Sequence, residues 1–286
     1  MRASGLLIWA WLVAATVVGC AADATARRGT EPAAGTTRPT TRRTAPARVE
    51  LTDVPLEGAP SDAPITVQRA RFPRGSSLRL TDTTTHETVL VVLEGTLAVA
   101  PVLAGGHDAR VPLTAGAAVR VPAGTPEADV SAMDAADVRA LIARVRCGDH
   151  QDAPCRPGQP GSARGQTSSV ETTRELVLAG GSLRVHIVFP STAGERTGLS
   201  LERFAATAGA AVPRHVHETS AEILVIEAGA GTMHLGDREI AVRPGMGIYV
   251  PANTPHDFAC TEALLAWQLY GPSGPEMRFR AAAEAQ

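Results

Sequence analysis

Four side chains in the last third of the 286-residue chain have the types and the spacing to hold a metal ion. His215 and His217 stand two apart, so on an extended strand both imidazoles point to one face. Glu222 follows a polar turn, Glu218-Thr-Ser-Ala221, and opens the apolar run Ile-Leu-Val-Ile, so it can face back toward the pair. His256 follows Pro251-Ala-Asn-Thr-Pro255, a turn that halts one strand and aims the next residue inward. Three neutral imidazoles and one carboxylate suit Fe, Mn, Ni, Cu or Zn, and ligand type alone does not choose among them. No thiolate belongs to the set, which disfavours soft-metal storage. Four protein ligands leave one or two positions of a five- or six-coordinate ion open to water, dioxygen or substrate oxygens, as in catalytic rather than closed structural sites. A single strand histidine is usually a packed or exposed one, so the argument rests on the four together.

The residues from Gly209 to Gly229 closely resemble the first motif of the cupin superfamily, G-x5-H-x-H-x(3,4)-E-x6-G, at every position. The second motif, G-x5-P-x-G-x2-H-x3-N, is met at Gly245, Pro251 and His256. It is broken at Asn253, where glycine is usual, and at Cys260, where asparagine is usual. Asparagine tolerates the left-handed backbone that such a glycine supplies, so the turn is expected to survive. Cys260 lies four residues past His256, roughly 13 Å along an extended strand and out of a ligand's reach. The resemblance implies a metal held by His215, His217, Glu222 and His256. A degenerate barrel that leaves these residues unused is the alternative.

Short β-rich runs punctuated by Gly, Pro and Asp must position these residues: Ile65–Arg71, Leu78–Thr81, Val89–Leu93, Val119–Val121 and Leu141–Val145, then Glu175–Leu178, Leu183–Phe189, Leu199–Ala205, Ile223–Ile226, Glu239–Val242 and Leu264–Tyr270. They predict an all-β chain of antiparallel double-sheet jelly rolls, the architecture that cupins use. The runs also repeat. Gly116 to Glu127 parallels Gly245 to His256, with Glu127 where His256 stands. Thr88 to Gly95 parallels Glu222 to Gly229, with Thr88 in place of the glutamate. The histidine positions fall on Thr81 and Thr83, or on Asp82 and Thr84, with His86 out of register. The reading is therefore two tandem cupin barrels, a ligand-less first over residues 61–146 and a metal-binding second over 167–286. A weak acidic site on Glu127 and Asp82 is the sharper alternative for the first.

Residues 1–20 are read as a targeting segment: Arg2, an apolar stretch from Leu6 to Val18, then Val-Gly-Cys20. The ending resembles a bacterial lipoprotein lipobox, which implies cleavage before Cys20 and lipid on its thiol; an ordinary secretory signal is the alternative. Either predicts export. Residues 21–60, mostly Thr, Ala, Pro and Arg, are expected to be a disordered tether. Six arginines against two acids over 20–48 give it a net +4, which would reinforce a lipid anchor at an anionic membrane, or serve only as a solvated spacer. All 27 basic residues are arginine, yet the whole chain sums to −2, which argues against a nucleic-acid partner. In the linker over 147–166, Cys147 and Cys155 are expected to form a disulfide in an exported protein, a Cys–His150–Cys metal clip being the alternative.

Around the four ligands, Phe258 lies one inward step from His256, Tyr249 stands just before the turn, and either Trp267 or Gln268 on the last strand can point inward. Tyr249, Phe258 and Trp267 are thus candidate pocket walls. With no second carboxylate evident in the barrel, chemistry done at the metal is favoured over reactions needing a separate general acid or base. The expected activity is dioxygenase-like, on a small oxygenated organic substrate. The other class is a non-catalytic module that binds a metal or small solute. Cupins commonly oligomerise, so a homodimer is compatible with either.

Overall fold

Strands that are apolar on both faces organise the molecule. Along Ala221–Ala228, Leu224 and Ile226 pack inside the second barrel, whereas Ile223 and Val225 join a layer shared with the first. Along His86–Glu94, Val89 and Val91 enter that same layer while Leu90 and Val92 fill the first barrel. A strand held between two apolar layers has no polar face to show. That is why both runs read as unbroken hydrophobic stretches rather than alternating ones.

The computed structural model describes residues 47–80, 84–104, 109–148, 153–159, 161–191 and 198–285. The leader with Cys20, most of the tether, Asp82 and His150 lie outside the described residues. In the first barrel a six-stranded sheet runs in the order Glu50–Asp53, Ile65–Phe72, Val138–Arg146, His86–Glu94, Ala117–Val121, Gln166–Ser169. Its other sheet orders Ser77–Leu80, Ala128–Ala132, Leu97–Val99 and Val111–Leu113. In the second barrel seven strands run Glu175–Leu178, Leu183–Phe189, Leu201–Ala206, Leu264–Gly271, Ala221–Ala228, Gly247–Val250, Leu56–Glu57. Facing them are Ala211–His215, His256–Cys260, Gly231–Leu235 and Arg238–Val242. The all-β double jelly roll is as expected.

The barrels are joined by more than apolar contact. Glu87 of the first is buried and accepts the backbone N–H groups of Gly198 (3.1 Å) and Leu199 (2.9 Å) at the entry to the second. Arg120 Nη2 donates to the Pro190 carbonyl at 3.0 Å, and its guanidinium lies 4.8 Å from the Phe189 ring centre.

Two segments fall elsewhere than the sequence suggests. Within residues 50–57, read as tether, lie two strands: Glu50–Asp53 pairs with Ile65–Phe72, and Leu56–Glu57 adds in parallel to Gly247–Val250 of the second barrel. Buried Val54 and partly buried Leu56 anchor this strap, too few apolar residues to register in composition. Gln166–Ser169, at the presumed start of the second barrel, pairs instead with Ala117–Val121 of the first. A helix, Met277–Glu284, was not anticipated. Beside it Glu276 is fully buried and accepts the N–H groups of Ser191 and Gly274, both at 2.6 Å, which pins the helix start to the barrel.

Cys147 and Cys155 are bonded. Because they lie eight residues apart, the loop-entropy contribution is roughly 2–3 kcal/mol. Replacing both by serine is expected to lower the unfolding free energy by about that amount in chemical denaturation; an unchanged midpoint would show that the loop adds nothing.

Glu202 has no exposed surface and, among the described residues, neither carboxylate oxygen meets a well-aligned donor, the Ser200 hydroxyl only tempering the effect of burial. Burial first, and then the nearby Glu276 carboxylate, push its pKa well above the ordinary range. A carboxyl that holds its proton more tightly folded than unfolded loses stability as pH rises from the ordinary carboxylate range toward its folded pKa, at up to about 1.4 kcal/mol per pH unit. Glu202→Gln removes that slope. The variant is expected to match the parent near pH 4 and to become progressively more stable than it as pH rises above the ordinary carboxylate range. Parallel stability curves for the two proteins would refute a neutral Glu202.

Candidate metal centre

A bulge brings two of the histidines face to face. Val212 pairs with Phe258, but the next partners are His215 and His256, so Ala211–His215 carries an extra residue against His256–Cys260. Pro213, which has no N–H to lose, falls in this irregularity. His217 lies just past the strand end. The carbonyl of His217 accepts the Asn253 N–H at 2.7 Å, which ties its turn to the one that presents His256. Asn253 takes φ of +59°, the left-handed backbone expected where its motif usually has glycine. Glu222 shares the inward face of its strand with Leu224 and Ile226.

The four ligand atoms all lie within 4.8 Å of one another. Two opposite bonds of about 2.1 Å span roughly 4.2 Å, so an ion would draw the shell in by only a few tenths of an ångström. The imidazole centroids are 4.9 Å (His215–His217), 4.2 Å (His215–His256) and 5.1 Å (His217–His256) apart. His217, Glu222 and His256 are buried and His215 is half-buried.

Protons decide whether this set suits a metal. His215 Nδ1 and His256 Nδ1 donate to the carbonyls of Pro213 (2.8 Å) and Thr254 (2.9 Å), because a carbonyl can only accept. Both neutral rings therefore turn a bare Nε2 toward the centre, as outer hydrogen bonds do for metal-binding histidines. His256 Nε2 lies 3.1 Å from Glu222 Oε2, and His217 Nε2 lies 3.0 Å from the same oxygen. A lone pair facing a carboxylate at that distance is repulsive unless a cation, a proton or a metal ion, stands between them. Burial would raise the Glu222 carboxyl, but the hydrogen bonds and charge of His217 and His256 outweigh it and hold Glu222 well below the carboxylate range. Burial lowers His215, whereas for His256 the Glu222 carboxylate overcomes burial and raises the pKa. The donor set fits a divalent transition ion.

Behind the ligands, Gln268 Nε2 donates to Glu222 Oε1 at 2.7 Å and to the Tyr270 hydroxyl at 2.8 Å. The Tyr270 ring meets His217 edge-on at 5.0 Å. Glu202 sits opposite Gln268 in the strand register. In front of the ligands opens a cavity of about 420 Å³, within the usual range for small-molecule sites. Apart from the ligands its walls are mostly apolar, with Gln268 and Tyr270 at the floor and Arg214, Asp257 and Arg278 among the remaining polar groups.

Of the predicted walls, Phe258 lines the cavity. Tyr249 and Trp267 do not: both belong to the layer between the barrels. Alternation is the reason, since Ile248 and Val250 take the inward face around Tyr249, and Ala266 and Gln268 take it around Trp267. Trp267 instead donates from Nε1 to Glu227 at 3.0 Å under the Arg203 guanidinium. Gln268, Tyr270 and Arg278 are the functional-site residues that sequence reasoning did not select; the first two become visible only once their register with Glu222 is known. The carboxylate expected to be absent from the barrel is present as Glu202. In the first barrel Glu127 is exposed, and among the described residues no second metal-ligating cluster exists.

Residues 203–266 match the family description of the cupin domain. No curated protein sequence matches the chain significantly. Among solved structures, a Pseudomonas aeruginosa protein provisionally named as glyoxylate-induced aligns with a TM-score of 0.60 at 15% identity, over 77% of this chain and 78% of its own. Oxalate decarboxylase of Bacillus subtilis, studied for its Mn(II) centres, aligns at 0.58 and 11%, over 81% and 78%. The coconut allergen cocosin aligns at 0.54 and 12%, over 74% and 78%. Identities this low carry the fold and not the activity. Residues 203–266 thus match a cupin domain, in a chain that has the cupin fold.

Proposed function

We propose that the protein is an exported, lipid-anchored metal-binding bicupin whose second barrel acts as a dioxygenase-like metalloenzyme on a small oxygenated organic molecule. One observation carries the reading: two histidines whose Nδ1 protons are committed to carbonyls aim bare nitrogens at a buried carboxylate, in the floor of a cavity. When bound, the ion supplies Lewis acidity and, if redox-active, electron transfer between substrate and dioxygen. The chain's own residues do the rest. His215, His217, Glu222 and His256 hold the ion, Gln268 keeps Glu222 turned toward it, and the apolar walls limit water at the reacting end. A small-molecule partner and the absence of a nucleic-acid partner belong to the same reading.

Protein prepared from its own host is expected to carry one transition ion per chain by elemental analysis. His256→Ala should abolish most of it, and Gln268→Leu should weaken affinity roughly 10–100-fold, as loss of an outer-shell partner does. An ion whose spectrum responds to substrate and oxygen supports the enzyme. Zinc indifferent to oxygen supports a non-catalytic binder. Protein that takes up no metal defeats both.

Export on a lipid anchor is tested separately. The intact protein should partition with membranes and show a diacylglyceryl mass increment on its N-terminal peptide, both lost in Cys20→Ser. A soluble Cys20-containing parent would instead indicate an ordinary secretory signal.

A further inference from the structure

The charges around the cavity do not cancel. Asp257 is matched by Arg214, whose Nη1 donates to Asp257 Oδ2 at 3.2 Å. Glu222 would offset one charge of a divalent ion. Arg278, on the C-terminal helix at the cavity mouth, has no carboxylate partner among the described residues. Its Nη1 approaches the Val216 carbonyl at 3.3 Å and His217 Nδ1 at 3.4 Å, both long. Nη2 and Nε form no hydrogen bond among the described residues, and a guanidinium edge of that kind matches a carboxylate in a two-pronged fork. Away from this corner the cavity is bounded by Leu178, Leu183, Phe204, Met233 and Leu264, and Phe279 of the same helix also lines it. The helix is held in place by buried Glu276.

We propose that this cavity takes a lipophilic monocarboxylate, with its carboxylate on the open edge of Arg278 beside the metal site and its alkyl or aryl body along Leu178, Phe204, Met233 and Phe279. This names the ligand class for the site and rests on the metal-centre reading for what happens to the ligand there. A compact dicarboxylate, which could set one charge on Arg278 and the other toward the metal site, would leave the aliphatic and phenyl walls unfilled. A neutral apolar molecule would leave the Arg278 fork unused.

The test is a homologous series of straight-chain carboxylates, from butanoate to decanoate, titrated by calorimetry into the full chain both metal-free and Mn(II)-loaded. Matching 1-alkanols and oxalate serve as controls. Affinity should rise about fourfold per methylene until the cavity is filled. Carboxylates should bind at least tenfold more tightly than alcohols of equal length. In Arg278→Gln, an exposed substitution, that preference should collapse while the dependence on length stays. Affinity independent of length, oxalate bound more tightly than octanoate, or a carboxylate preference that survives Arg278→Gln would each overturn the proposal. The two readings separate cleanly. Length-dependent binding in protein that takes up no metal removes the metal-centre reading and keeps this one; metal uptake with no length dependence does the reverse.

Discussion

An ionised carboxylate with no surface of its own is among the costliest things a barrel can bury, at several kcal/mol of lost hydration. Glu222, only 3% exposed, comes close to such a group: Gln268 donates to one of its oxygens, and the Nε2 atoms of His217 and His256 both approach the other. A hydrogen bond to a charged group contributes about 1.5–3 kcal/mol, so Gln268 together with whichever imidazole carries a proton on Nε2 comes close to offsetting the desolvation without exceeding it by much. The imidazoles can donate only when protonated or when the tautomer allows, and for His256 the Thr254 carbonyl has already claimed the Nδ1 proton. The arrangement is therefore nearly neutral in energy without a cation at its centre and favourable with one. That balance suits the cluster to holding a cation.

Holding the balance requires strands that do not slip, since a one-residue shift would turn Glu222 out of the barrel and Ile223 in. The layer between the barrels supplies the constraint. Ile223, Val225, Trp267 and Leu269 are locked there against Val67, Val89 and Leu141, so Glu222, Gln268 and Tyr270 have only the inward face left. The first barrel thus contributes to the site without supplying any of its four ligands. Glu87 and Arg120 pin the joint at the entry to the second barrel, where a side chain in place of Gly198 would strike Val145 at 2.8 Å.

Much of this was legible in the residues. Four ligand types at fixed spacing named the site, the internal repeat named two barrels, and Asn253 kept its left-handed turn. What remained hidden shares one cause: dependence on long-range register. Nothing local separates Trp267 from Gln268; only pairing with Leu224 and Val225 sends one outward and the other inward. Tyr249 reads as a hydrogen-bond donor beside a histidine turn, yet its strand parity turns it to the seam. Val54 and Leu56 are two apolar residues in a polar stretch, meaningful only because the second barrel has an open strand edge beside Gly247. The short terminal helix has no 3.6-residue apolar stripe long enough to announce itself, and its placement depends on Glu276, whose partners lie in a loop before the second barrel's third strand and at Gly274.

The second buried glutamate shows how far the local environment decides charge state. Glu202 and Glu222 face the same barrel interior, on either side of the strand that carries Gln268. Gln268 and the histidines hold the first well below the ordinary carboxylate range, whereas burial pushes the second well above it. Gln268 spends its amide N–H groups on Glu222 and Tyr270, which turns its carbonyl oxygen away from them and leaves that oxygen buried without a donor. A protonated carboxyl in the adjacent register position is a group of the required kind, a buried donor next to a buried acceptor. Two carboxylates in one barrel would repel each other. Gln268 stands between the two carboxyl groups in the sheet, and its N–H on Glu222 Oε1 leaves Oε2 to face the histidines.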